Sequence, residues 1–279
     1  MEHHTSQDQM TGKARLIVAL DLKTVEHARQ LVRDLDNVSF FKIGWSLVSA
    51  NLRTGDLHKL LADLRAERKS VFFDLKIPDI GNTLAQTVKN LSDEPSARFL
   101  TLHADTQLDD ITIAKEARGA DNNPELLMVP FLSSTDESDF VQVAPMVAAA
   151  GVTFNEWLIA RARAALQAGC DGLIASGQAI RLFRNAWPRH TGVVIVSPGI
   201  RPAGSSHDDH KRFTTPAQAI EFGADYLVVG RPVLNATNPR EAAQEIIDEV
   251  DSALRRGGSS SSSSGSHSDY LAMTAKPLN

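Results

Sequence analysis

Cysteine is nearly absent: Cys170 is the single one in 279 residues. That excludes an internal disulfide and favours a reducing compartment. The Cys/His spacing of a zinc site is missing as well. Positive charge is not in excess, since 29 Lys and Arg against 34 Asp and Glu leave a net charge of -5, and nothing in that balance suits a nucleic-acid backbone. An anionic small molecule would need a local cationic pocket. Long apolar runs are also lacking. No stretch approaches the roughly 20 residues of a membrane span, and the opening Met1-Glu2-His3-His4-Thr5-Ser6 has no apolar segment like that of a secretory signal. The expectation is a soluble cytoplasmic protein with no membrane or nucleic-acid partner.

What is present is a 42% hydrophobic chain whose apolar residues come in short continuous runs. Such runs mark parallel strands buried on both faces. They fall at 14–21, 38–44, 71–77, 98–103, 126–131, 172–176, 192–197 and 225–230. Helical patterns separate them, one of them capped by Thr24, with a long helical region over about 140–168 and a last helix over about 239–255. Pro130 is awkward inside the fifth run. An open doubly wound sheet would tolerate the same alternation, but eight strands predict a (β/α)8 barrel. The expected organisation is a polar, frayed tail over 1–12, one barrel domain over 13–256, and a flexible tail over 257–279 that carries six consecutive serines from Ser259 to Ser264.

In such a barrel, chemistry gathers at the C-terminal ends of the strands. There the chain supplies Asp21, Lys42, Asp74, Lys76, His103 and Ser133. Taken singly, His103 and Ser133 read as polar residues at a loop edge. Lys42, Asp74 and Lys76 read differently, because crowded charges are costly to bury unless they pair with one another. Strand alternation puts Asp74 and Lys76 on one face and Phe73 and Leu75 on the other. Pro78 ends that strand and leaves Asp79 as an N-cap for the next helix. Runs seven and eight open into Pro198-Gly199-Ile200-Arg201-Pro202 and Gly230-Arg231-Pro232. Glycine backbone and arginine forks after those two strands predict a phosphate site. The polar, glycine-containing connection over 202–213 is long enough to close over a bound phosphate, and its composition fits a disordered surface loop nearly as well.

Asp74-Leu75-Lys76-Ile77-Pro78-Asp79-Ile80-Gly81-Asn82-Thr83 resembles the Asp-x-Lys-x-x-Asp signature of the orotidine 5'-phosphate decarboxylase family. Leu20-Asp21, Phe41-Lys42-Ile43-Gly44, Leu102-His103-Ala104 and the two glycine–arginine turns follow the family's order, so the likeness spans about 14–255. The resemblance implies decarboxylation of orotidine 5'-phosphate to uridine 5'-phosphate, the last step of pyrimidine nucleotide synthesis, without metal or organic cofactor. It implies Lys76 as proton donor, with Asp74, Lys42 and Asp79 completing a charged array, and Asp21 and Lys42 on the ribose. It implies Ser133 on the pyrimidine, Arg201, Gly230 and Arg231 on the phosphate, and a homodimer in which Asp79 and Thr83 complete the neighbour's site, with Ile80 among the substrate contacts. Two rivals remain. One is the magnesium-dependent decarboxylation of 3-keto-L-gulonate 6-phosphate, whose family has Thr-x-Asp where this chain has Ile77-Pro78-Asp79. The other is a catalytically silent sensor of phosphate ligands on the same barrel.

One departure stands out. Nine residues after Arg201, where bacterial members of that family carry a glutamine that reaches the phosphate, this chain has His210. An imidazole beside a phosphate dianion tends to protonate, so His210 is expected to bind substrate with a pH-dependent affinity. His210→Gln should flatten the pH profile of kcat/KM between about pH 6 and 8. An unchanged profile would rule this out.

Overall fold

Aliphatic runs become strands here because helices cover the outside of the sheet and aromatic side chains fill its inside. The computed structural model describes residues 11–52, 54–119, 122–131, 137–202 and 214–259. Eight strands, β1 (Leu16–Ala19), β2 (Phe40–Gly44), β3 (Ser70–Ile77), β4 (Ala97–His103), β5 (Glu125–Val129), β6 (Gly172–Ile174), β7 (Val194–Ser197) and β8 (Tyr226–Val229), form a closed barrel in chain order. All pairings are parallel, and β8 returns to β1 through Leu16↔Leu227 and Val18↔Val229. The open-sheet alternative is therefore excluded. Among the described residues, no helix is long and apolar enough to cross a membrane.

Period-two alternation divides each strand between two cores. Leu16, Val18, Phe41, Ile43, Val71, Phe73, Leu100 and Leu102 belong to the outer core under the helices. Ile17, Ala19, Phe40, Phe72, Phe99 and Tyr226 belong to the inner one. Phe99 is central to the inner core, with its ring 5.3 Å from Phe40, 5.9 Å from Phe72 and 5.1 Å from Tyr226, the last two edge-on. The parity then carries upward. Two residues beyond Phe40, Phe72 and Phe99 stand Lys42, Asp74 and Thr101, so the alternation that plugs the barrel with rings delivers polar groups to its C-terminal mouth.

The departures from expectation have local causes. Residues Gly12–Arg15 form a helical turn rather than the start of β1. They are tied down there, the Gly12 N–H donating to Asp251 Oδ1 at 2.6 Å and the buried Arg15 donating to the Asp225 carbonyl at 3.1 Å. The region over 140–168 is three helices, Glu137–Val143, Pro145–Ala149 and Phe154–Ala168. Pro145 can only begin a helix, Gly151 adopts φ 81°, and Thr153 with Glu156 forms a capping box that starts the third. Pro130 lies just past the end of β5, so no ladder bond is lost. Thr24 caps the helix Val25–Asp34 as expected, accepting from the His27 N–H at 3.2 Å. The last helix, Pro239–Ser259, continues past Arg256 into the two glycines.

Removing the central ring should show how far the mouth depends on the plug. Phe99→Ala is expected to cost about 3–5 kcal/mol in urea unfolding. A loss well under 1 kcal/mol would mean that the inner aromatic layer does not support the barrel.

Candidate active site

The mouth holds a chain of alternating charges. Lys42 Nζ, from the middle of β2, lies 3.0 Å from Asp21 Oδ1 and 3.5 Å from Asp74 Oδ2. Lys76 Nζ lies 2.7 Å from Asp74 Oδ1. Asp74 thus stands between two ammonium groups, with its side chain 16% exposed and that of Lys42 10%. Burial by itself would raise the Asp74 carboxyl, but attraction to Lys42 and Lys76 and hydrogen bonds from Lys76 and Thr101 together hold it below the ordinary carboxylate value. Asp21, Lys42, Asp74 and Lys76 alternate in sign, so their formal charges sum to zero.

Simple alternation does not bring Asp74 and Lys76 together in the way expected. Between the pairs Phe73↔Leu100 and Ile77↔Leu102, β3 spends Asp74, Leu75 and Lys76 where β4 spends only Thr101. Lys76 takes φ 46°, a left-handed conformation that non-glycine residues seldom adopt. The two side chains meet because the strand bulges.

These charges line one side of a cavity of about 530 Å³. The other side is built by the turns after β7 and β8. Gly199 has φ 77°, which turns the chain after Pro198. Gly230 precedes the short helix Arg231–Leu234, and Arg201 and Arg231 both line the cavity. In an eight-stranded ring, β3 and β7 face each other, so charged array and arginines look across the same space. Phe72, Val129, Ile174 and Val228 also line it. These apolar groups keep the local dielectric low and strengthen the field of the charges.

The remaining expected residues lie elsewhere. Asp79, Ile80 and Thr83 are exposed and do not line this chain's cavity. Asp79 is not the helix cap that was expected. Ile80 occupies the N-cap position of Gly81–Ser92, and Asp79 Oδ1 instead accepts from the Ile80 N–H at 2.8 Å, too near in sequence to reach the first helical turn. His103 ends β4 and turns to Asp105, whose N–H donates to its Nδ1 at 3.3 Å. Ser133 and His210 lie outside the described residues. Two positions escaped the sequence reading as site residues. Thr101 is fully buried and donates to Asp74 Oδ1 at 3.0 Å. Its only sequence signal is a hydroxyl within the apolar run Phe99-Leu100-Thr101-Leu102. Gly44 leaves room for the ion pair, since a Cβ there would stand 3.1 Å from Lys42 Nζ and 3.5 Å from Asp21 Oδ1.

A closed parallel barrel with a carboxylate-bridged lysine pair facing two arginines across its C-terminal mouth defines the chain as a (β/α)8-barrel protein with a charged cavity at that mouth. Comparison with known proteins narrows this. The family model described as "Orotidine 5'-phosphate decarboxylase / HUMPS family" matches residues 14–246, and the chain belongs to that family. It is 43% identical over 244 residues to an orotidine 5'-phosphate decarboxylase of Rhodopseudomonas palustris (strain BisA53), covering 87% of this chain and 97% of that one. To one from Nitrobacter winogradskyi it is 40% identical, covering 90% and 98%. Among solved structures, the orotidine 5'-phosphate decarboxylase from Lactobacillus acidophilus superposes with a TM-score of 0.67 at 29% identity, covering 85% of this chain and 99% of that one.

The lowered Asp74 carboxyl has a consequence for stability. Its pairing supports the fold fully above the unfolded value, near 3.8, and is lost as pH falls through the lower folded value. Asp74→Asn leaves Lys42 and Lys76 facing each other. Its Tm deficit should be largest at neutral pH and shrink toward about pH 3, and a deficit independent of pH would contradict the assignment.

Proposed function

We propose that the chain decarboxylates orotidine 5'-phosphate to uridine 5'-phosphate and CO2, serving pyrimidine nucleotide synthesis in the cytoplasm. The observation that carries this is the Lys42–Asp74–Lys76 array set across one cavity from Arg201 and Arg231. The apolar lining suits a pyrimidine ring between the two ends. In this reading the phosphate sits against Arg201, Arg231 and Gly230, and against His210 from the segment over 203–213. Asp21 and Lys42 take the ribose hydroxyls, and Ser133 the pyrimidine.

The C6–carboxylate bond breaks with its electron pair left on C6, in the ring plane, where no ring carbonyl can delocalise it. Stabilisation must then be electrostatic. The ammonium of Lys76 stabilises the carbanion and gives its proton to C6, after which the amine is reprotonated from solvent. Asp74 keeps Lys76 in place, and its charge disfavours a carboxylate beside it. The whole acceleration reaches toward the top of the enzymatic range, on the order of 20 kcal/mol. Binding at the distant phosphate therefore has to help organise the array. No metal or organic cofactor takes part in this scheme.

Asp79 and Thr83 enter from the partner in a homodimer. Two facts support that arrangement: both residues are exposed away from this chain's own cavity, and the neighbouring apolar side chains Ile80 and Trp45 are 69% and 58% exposed. In the dimer Asp79 extends the alternation of charge beyond Lys76, and Thr83 and Ile80 contact substrate.

The test is turnover of orotidine 5'-phosphate by the EDTA-treated protein, followed by the change in pyrimidine absorbance. Full activity is expected, together with a loss of about 10²–10³-fold or more in kcat for Lys76→Ala. Absence of turnover, or activity that returns only with magnesium, would overturn the proposal.

A further inference from the structure

We infer that Thr101 is a positioning residue that holds the β3 bulge in the one shape that aims Lys76 at the substrate, through a single hydroxyl that bonds both members of the Asp74–Lys76 pair. This rests on the decarboxylase reading above and names a residue it did not assign. Thr101 Oγ1 accepts the backbone N–H of Lys76 at 2.9 Å and donates to Asp74 Oδ1 at 3.0 Å. The same carboxylate oxygen receives Lys76 Nζ at 2.7 Å. A hydroxyl has one hydrogen to donate and lone pairs to accept with. Here both capacities are spent on one ion pair, one on its backbone and one on its side chain. Thr101 is fully buried, so water cannot take over either bond.

The bulge creates the need for such a residue. With three residues of β3 set against one of β4, regular ladder geometry is interrupted over Asp74–Lys76. The left-handed Lys76 persists only if its surroundings hold it. Each part of the bulge has its own tether. Trp45 Nε1 donates to the Leu75 carbonyl at 2.6 Å, and Thr106 Oγ1 donates to the Ile77 carbonyl at 3.0 Å. Thr101 is the tether that also touches the reacting charges. Asp74 cannot replace it, because its two oxygens already face Lys42 and Lys76.

Valine at this position keeps the branched shape that a strand favours and loses the hydroxyl. It strands the Lys76 N–H and removes one of the two hydrogen bonds that Asp74 Oδ1 accepts, leaving that oxygen to Lys76 Nζ alone. Serine keeps the hydroxyl and loses the methyl. Kinetics of Thr101→Val, Thr101→Ser and Thr101→Ala with orotidine 5'-phosphate, alongside binding of uridine 5'-phosphate, separate the possibilities. Expected for Thr101→Val is a fall in kcat of about 10- to 100-fold, with KM and product affinity within about threefold of wild type, because the arginine end is untouched. Thr101→Ser should recover most of the rate, and Thr101→Ala should not. If Thr101→Val does not fold, the serine and alanine variants, which differ only in the hydroxyl, decide the matter by the same criterion. Wild-type kcat in Thr101→Val would overturn the inference. So would a serine variant no better than alanine, or parallel loss of rate and product binding. Failure of the wild-type chain to turn over would instead strike the decarboxylase reading.

Discussion

Everything at the mouth of this barrel depends on Asp74 being held between two ammonium groups. A carboxylate that is largely withdrawn from water is expensive by itself, and so is Lys42 beside it. Each makes the other tolerable, and Asp21 extends the compensation to the solvent side. The arrangement keeps two positive charges within reach of one cavity without the repulsion that two unscreened lysines would have. It also explains why the surrounding structure is so economical in space, down to a glycine at position 44 where a methyl group would crowd Lys42.

The geometry of that interaction comes from a fault in the sheet. A regular β3 would place Asp74 and Lys76 two residues apart on one face. The bulge instead folds the backbone so that the ammonium reaches back onto the carboxylate. Irregular backbone of this kind must be held from several directions, and the hydrogen bonds from Trp45, Thr101 and Thr106 supply that. Beneath it, the ring cluster around Phe99 gives the mouth a rigid floor. Strain at the top of the barrel therefore rests on close packing beneath it, a division that suits a scaffold whose strands deliver charged groups to the C-terminal mouth.

How much of this could be read without coordinates differs from element to element. The eight strands were legible because parallel strands covered on both faces must be apolar almost throughout. Their ends were less so. Leu20 is buried like the strand before it, yet it lies past the end of β1, with its N–H donating to the Lys42 carbonyl at 2.9 Å. Burial outlasts the ladder, and hydropathy cannot tell one from the other. The stretch over 140–168 is helical as expected, but periodicity does not show that the helix is interrupted before Pro145 and again near Gly151. Asp79 had the right chemistry for a cap and the wrong distance from the first turn.

From the chain alone came the barrel's strand order, the charged residues at the strand ends and the two glycine–arginine turns, because each is written in consecutive residues with a strong local preference. Tertiary structure decided what those residues touch. The register between β3 and β4, the left-handed Lys76 and the buried hydroxyl of Thr101 depend on which residue of one strand faces which of the next. That pairing joins Thr101 to residues 25 and 27 positions away. No local pattern carries such information, because it arises only when the ring of strands closes and one register satisfies all of its hydrogen bonds and charges at once.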